Sequence, residues 1–353
     1  MTGAGGSAAY NFIRSVQLSG LFHTIGADAN QLKLQLSPAT QNLVVPSARD
    51  QDFVSALNRA FAMHGVSVLH CQPDQEVVKI SEFRDDLDAS VFLPSHDQIL
   101  LGSDKAALNT RLAAFNVPVP ESVSFGNISE MRGTIGELLE RHEKVWVRAR
   151  RGAGSKGALP VSRVEQGESW INWWVQEKGF EVDDFMASEF LPGREFAFQS
   201  VWQSGRLVAG QTRERLEYLY GFLSPSGQSS TPAVARTISR SDVSQTATSA
   251  ILALDASPSG VYCVDMKEAQ DGTPRVTEIN VGRFFTTSLF FSEAGLNMPE
   301  MVIRAALGEE VKTRGLNPLA DDLYWVRMVD MGHRLVRMTA DGVWEPMDEQ
   351  PLP

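Results

Sequence analysis

Two oxygen-bearing side chains, Glu278 and Asn280, stand two residues apart in the run GTPRVTEINVGRF (272–284). Residues two apart in a β-strand point to the same face, so an extended run here delivers a carboxylate and an amide together. Asp265, in YCVDMKE, ends another apolar run thirteen positions earlier. The intervening DGTP reads as a turn, which makes 261–268 and 274–281 an antiparallel hairpin and sets Asp265 across from Glu278. Two like charges so placed repel each other unless a cation lies between them. Mg²⁺ is such a cation, commonly held by one or two carboxylates plus phosphate oxygens. Arg283 follows at once, and its planar fork suits a phosphate or a carboxylate.

Three further groups carry chemistry. The loop RRGAGSKGA (150–158) holds Gly152, Gly154, Ser155, Lys156 and Gly157, and Arg148 lies on the strand before it. Glycines let a backbone approach phosphates and turn its N–H groups inward. The loop lacks the GxxxxGK[ST] spacing of a P-loop, and a surface hairpin with glycine turns is the alternative. In ASEFLPGREFAF (187–198), Glu189 and Glu195 flank a Pro-Gly turn between apolar strands, with Phe190 and Leu191 beside it; a hairpin with exposed acids is the alternative there. Lys105 opens the helical run of SDKAALNTRLAAFNVPVP. Arg213 and Arg215 in TRERLEY face the site or a solvated strand edge.

These residues need a scaffold of several units. The chain has 353 residues, 43% hydrophobic and 21% charged, which suits two or three packed units of ordinary globular composition. A net charge of −11 argues against a nucleic-acid binder. Two cysteines, Cys71 and Cys263, sit in apolar runs, and the six histidines are scattered, so neither a disulfide framework nor a zinc site is expected. No stretch is apolar enough to span a membrane, and MTGAGGSAA is not a secretory signal, so a soluble cytoplasmic protein is expected.

Along the first 100 residues strand and helix signals alternate, which implies a parallel sheet. A glycine turn opens a helix, a strand ends at Asp28, a helix repeats Phe53, Leu57 and Phe61 every four residues, and VSVLHCQP is a buried strand. Met1 stands almost inside the glycine turn, so the first strand is unusually short or the true start lies upstream. NVPVPES marks a boundary. After it come a helix near 128–142, the strand VWVRA, a helix with Trp170, Trp173 and Trp174 read as core packing, and the strands already named. LSPSGQSSTPA (223–233) reads as a mobile polar loop.

Taken in order, Lys105, Arg148 with the glycine loop, Glu189 to Glu195, then Asp265 and Glu278-x-Asn280 resemble the ATP-grasp superfamily, in particular the branch similar to the large subunit of carbamoyl-phosphate synthetase. The resemblance spans residues 1–310. It implies an α/β chain: a Rossmann-like pre-ATP-grasp domain (1–102), then a two-subdomain α+β ATP-grasp fold with a small lid (103–188) and a large subdomain (189–308), and an extension (309–353). It further implies that Lys105 and Arg148 contact ATP phosphates and that the loop from Gly152 to Gly157 closes over them. Glu189, Phe190 and Leu191 would form the adenine-reading hinge, and Glu195 would hold the ribose. Asp265, Glu278 and Asn280 would bind one or two Mg²⁺. The family commonly shows an ENPR-like run, whereas INVGR here has one added residue, and that spacing bears on Arg283 as the group facing an acyl-phosphate.

The implied activity is an ADP-forming ligase joining a small carboxylate to an amine through an acyl-phosphate, working as a monomer or homodimer. Carbamoyl-phosphate-type chemistry on bicarbonate is one rival. An NAD-binding Rossmann enzyme is another, because TGAGG with Asp28 mimics the dinucleotide fingerprint, although no YxxxK pair is present. A catalytically dead scaffold is a third. Gly3 to Gly6, Asp74 and Glu76 end strands that could face the acceptor, and capping is the plainer role for the two acids.

Overall fold

Ahead of the glycine turn at the amino end, Met1 and Thr2 lie between two pairs of parallel strands, and the chain turns at Gly3 (φ 62°). The computed structural model describes residues 1–347 apart from Ala153, Ser230, Asp330, Met331 and Val343. Its first unit runs α1 (Ser7–Gln17), β1 (Ile25–Asp28), α2 (Gln31–Leu34), β2 (Gln41–Val44), α3 (Phe53–His64), β3 (Val68–Leu69), α4 (Asp74–Glu82), β4 (Ser90–Val91) and α5 (His96–Ser103). β1 pairs with β2 and β3 with β4, both parallel. Thr2 N–H donates to the His70 carbonyl (3.0 Å) and Ala27 N–H to that of Met1 (2.8 Å), so a minimal first strand joins the pairs. On α3 the fourfold spacing buries Phe53, Leu57 and Phe61. Gly65, at φ 63°, closes that helix.

After α6 (Lys105–Ala114) a second unit begins: β5 (Ser122–Ser124), α7 (Ile128–Arg141), β6 (Val145–Ala149), β7 (Leu159–Val161), α8 (Val164–Lys178) and β8 (Phe185–Glu189). Its strands order β5-β8-β6-β7, all antiparallel. The alternation of VWVRA buries Val145 and Val147 against Met131, Ile135 and Ile171 of the two helices. Each such buried side chain contributes about 1.5–3 kcal/mol over an exposed one. The tryptophans divide. Trp170 and Trp174 pack on this core, but Trp173 stacks on Trp170 and is 43% exposed.

The third unit is β9 (Glu195–Gln203), β10 (Arg206–Tyr218), β11 (Pro232–Ile238), α9 (Ser241–Leu254), β12 (Gly260–Glu268), β13 (Pro274–Val281), α10 (Ser288–Glu293), α11 (Met298–Ala306), β14 (Gly315–Leu316), β15 (Leu323–Met328), β16 (Gly332–Met338) and β17 (Trp344–Pro346). One sheet takes them in the order β13-β12-β9-β10-β11-β15-β16-β17, with β14 beside β10. Strand alternation gives it two different faces. Phe196, Phe198 and Val264 pack beneath α9, while Glu195, Ala197 and Asp265 point the other way.

Two segments take on a different meaning in three dimensions. The Pro-Gly turn between Glu189 and Glu195 is no hairpin: β8 and β9 belong to different sheets, and the turn crosses between them. The carboxyl-terminal segment adds strands to the large sheet, and Trp325 on β15 is 1% exposed. Residues 348–353 lie outside the described residues. Among the described residues no helix is long and apolar enough to cross a membrane.

Candidate functional site

The register of β12 and β13 pairs Asp265 directly with Glu278, across the turn at Gly272 (φ 84°). A bulge follows Asp265. Each carboxylate also meets a cation. Lys105 Nζ stands 3.3 Å from Glu278 Oε2, and Arg215 pairs with Asp265. Asn280 Nδ2 donates to Asp265 Oδ2 at 3.1 Å. Burial pushes the Asp265 carboxyl above its usual range, against the pull of Arg215, and Glu278 adds to the push. Burial works the same way on Glu278, but Lys105, Arg148 and Arg283 outweigh it and hold that carboxyl low. Among the described residues no three His, Cys, Asp or Glu side chains gather as a metal cluster. The donor set is two carboxylates and one amide, all hard oxygen ligands. That set fits a Mg²⁺ that completes its shell with phosphate oxygens and water.

These groups line a cavity of about 200 Å³ between the two sheets. Lys105, Arg148, Gly152, Gly154, Ser155 and Lys156 enter it from one side, and Glu189, Phe190, Leu191 and Glu195 from the crossing turn. Asp265, Glu278, Asn280 and Arg283 form its floor. Gly157 and Arg213 stay out of the lining. The φ of Gly157 is 62°, and a Cβ there would meet Phe185 at 2.5 Å, so its place is to let the loop return against the small sheet.

The glycine loop is tied at its base. Asp104 caps α6 through Ala106 and Ala107 N–H, and the same carboxylate takes Arg150 and Arg151, each at 2.9 Å. Lys105, first residue of the helix, donates Nζ to the Gly152 carbonyl at 2.8 Å. One helix start therefore holds both the loop and Glu278. Arg148 donates to the Thr277 carbonyl (2.8 Å). Burial pulls its guanidinium below the usual arginine range, against the opposing pull of Glu278 and Asp265.

At the other end Glu195 is surrounded by donors: Lys267 Nζ (2.8 Å), Gln228 Nε2 (2.7 Å) and the Tyr218 hydroxyl. Burial opposes its ionisation, yet Lys267 and the other donors hold its carboxyl low. Glu189 turns away, pairing with Arg275 and accepting from Glu121 N–H at 3.1 Å. Glu189, Phe190 and Leu191 together line the cavity.

Arg283 pairs with Asp74 of α4, so the first unit closes that end of the site. Glu76 is half-buried, and desolvation raises its carboxyl to about 7. The glycine turn of the first unit is occupied by protein. Asp28 accepts from Gly5 N–H (2.9 Å) and Asn30 N–H (2.8 Å), and a Cβ at Gly5 would meet the Lys33 backbone at 2.5 Å. Arg213 is buried and Arg215 half-buried in its pair with Asp265, so neither lies on a solvated edge.

The sequence reading missed Lys267, Tyr218 and Gln228. Lys267 was within reach of it, since it stands two residues from Asp265 and alternation puts both on one face. Tyr218 and Gln228 arrive by folding of a long strand and the polar loop, and no local pattern marks them.

A small antiparallel sheet and a large one, joined by a crossing turn and enclosing a charged cavity behind a parallel amino-terminal unit, make up the ATP-grasp fold. Among solved structures the chain is similar to biotin carboxylase from Campylobacter jejuni in complex with a β,γ-ATP compound, at a TM-score of 0.69 and 15% identity, over 91% of this chain and 72% of that one. It is similar to the L-amino acid ligase of Bacillus licheniformis (TM-score 0.66, 14% identity, 91% and 76%). It is also similar to the biotin carboxylase domain dimer of Hydrogenobacter thermophilus 2-oxoglutarate carboxylase with MgADP, ADP and bicarbonate (0.69, 15%, 91% and 71%). No family model and no curated protein matches the sequence.

Proposed function

We propose that this chain is an ATP-dependent, ADP-forming ligase that joins a carboxylic acid to an amine or another nucleophile. The observation that supports this most is the convergence of Lys105, Arg148, Asp265, Glu278 and Asn280 on one cavity within an ATP-grasp fold. In this reading residues 189–308 are the nucleotide platform, extended by 309–353. Residues 103–188 are the lid, and 1–102 close the acceptor side.

The Glu189–Leu191 backbone reads adenine and Glu195 holds the ribose hydroxyls. Lys105 and Arg148 bind the phosphates, and the Gly152–Gly157 loop folds over them with Ser155 and Lys156. Asp265, Glu278 and Asn280 hold one or two Mg²⁺, which when bound would neutralise phosphate charge. To take that role, Asp265 gives up Arg215 and Glu278 gives up Lys105, and both cations are then free to turn to the phosphates. An oxygen of the acid attacks the γ-phosphorus as the bond to ADP breaks. Arg283, released from Asp74, steadies the resulting acyl-phosphate. The nucleophile then adds at the acyl carbon, the C–O bond to phosphate breaks, and the amine loses a proton. Closing the loop keeps out water that would hydrolyse the acyl-phosphate.

A screen of acid and amine pairs for ADP release, bicarbonate included, tests this reading, with hydroxylamine trapping the activated acid. Release that needs an acid and gives a hydroxamate is expected. NAD binding without ATP binding would overturn the reading. Partners are small molecules, and light scattering distinguishes a monomer from a homodimer.

A further inference from the structure

Beyond Asp265 the same face of the large sheet carries a cation with no counter-charge. Ladder pairing runs from Asp265 to Ala197 and from Ala197 to Arg213, so Arg213 shares the face of the proposed metal ligands two strands away. At the usual strand spacing its Cα lies about 10 Å from that of Asp265. Arg213 is 1% exposed and donates one bond, to the Thr287 hydroxyl. Its Nε and Nη2 have no acceptor. The charges nearest it include two cations, Arg215 and Arg327, and the carboxylate in reach, Asp265, is already paired with Arg215. Arg327, on β15, donates to backbone and hydroxyl oxygens at Pro232 and Thr286. Among the described residues neither Arg213 nor Arg327 has an ion-pair partner. The Ser288 hydroxyl, next in chain to Thr287, is buried and also has no partner.

A buried, unpaired guanidinium is costly, and a fold that keeps one leaves a place for an anion. Nε and Nη2 form the side-on edge of the guanidinium, two parallel donors whose spacing matches the two oxygens of a carboxylate. One aromatic ring touches both the cavity and that guanidinium. Phe285 lines the cavity and lies 4.9 Å from the Arg213 guanidinium and 5.3 Å from that of Arg215.

We propose that Arg213, supported by Arg327, seats a second carboxylate of the acid substrate once Phe285 turns aside, so that the acid activated here is a dicarboxylate. This rests on the ligase reading above. It places the reacting carboxyl at Glu278 and Arg283 and the second one several bonds away.

The test is calorimetric binding to the full chain without ATP, so it is read separately from any ADP release. The probes are succinate, glutarate and adipate against butyrate, valerate and hexanoate. At least one diacid is expected to bind tenfold or more tightly than the monoacid of its length. Arg213→Met is expected to abolish that preference, and Arg213→Lys, which keeps the charge, to retain part of it. Equal binding of diacids and monoacids by the wild type overturns the proposal, whatever the variants do. So does a preference that survives in folded Arg213→Met, and so does equally tight binding of inorganic phosphate. Diacid binding without ATP-dependent ADP release would instead contradict the ligase reading and leave this site standing.

Discussion

The two walls of the cavity are built on opposite plans. On the platform wall the side chains are locked by ladder register and by charge: Asp265 faces Glu278, Glu195 faces Lys267 and Arg215, and most carboxylates have a cation or several donors. On the lid wall the loop is mostly backbone. Gly152, Gly154, Ser155 and Gly157 all take positive φ, and what anchors them is the Asp104–Lys105 pair at the start of α6. The contrast suits the division of labour proposed above. Charge must be placed rigidly to stabilise phosphoryl transfer, whereas a cover must open and close.

If that contrast holds, damage to the two walls should differ in kind. The largest effect belongs to the platform. Glu278→Gln keeps the shape but removes a charge, and should lower turnover about 100-fold or more, as loss of one electrostatic stabiliser does. Steady-state ADP release checks this, and near wild-type turnover would remove Glu278 from the metal set.

Next comes the junction. Lys105→Met cuts the link between Glu278 and Gly152 and should weaken ATP binding about 10–100-fold, the equivalent of one charge-assisted hydrogen bond. Titration calorimetry reads it. A loss confined to kcat would place Lys105 on the platform alone.

Lid damage should show as local instability. Gly157→Ala puts a Cβ against Phe185 at positive φ and should cost about 1–3 kcal/mol. Hydrogen exchange should then rise in residues 145–189 and stay unchanged on β12 and β13. A uniform rise would erase the distinction between the walls.

The smallest effect is a pH dependence. The Asp104 carboxyl is held below its usual range: burial opposes this, and the Ala107 N–H and Arg150 prevail. A carboxyl with a lowered folded pKa contributes stability above its unfolded value, near 3.9, and loses it as pH falls through the folded one. Wild type should therefore exceed Asp104→Asn in Tm by a constant margin from neutral pH down to about pH 4, and the margin should close below that. A margin that instead grows on acidification would contradict the assignment.

What could be seen in the sequence follows the range of the interactions. The hairpin that pairs Asp265 with Glu278 is local, set by alternation and a Gly272 turn, and both are visible in one strand's length. The cations that meet those acids come from far away, Arg215 from β10 and Lys105 from α6, and no spacing rule reaches so far. The same limit explains the Glu189–Glu195 turn. Two apolar strands around Pro-Gly look alike whether they pair with each other or part into two sheets. Arg213 shows the limit most clearly. TRERLEY alternates like a half-exposed strand, yet in the fold Arg213 is buried, with Phe285 and Thr287 brought against it from far along the chain.

The central claim is that one face of β12 and β13 holds ATP through a divalent cation. ATP titrated into the wild type and into an Asp265→Asn, Glu278→Gln double variant, each with Mg²⁺ and with EDTA, tests it directly. The wild type should bind ATP more tightly with Mg²⁺, and the double variant should bind it equally with and without. An undiminished Mg²⁺ dependence in the double variant would contradict it.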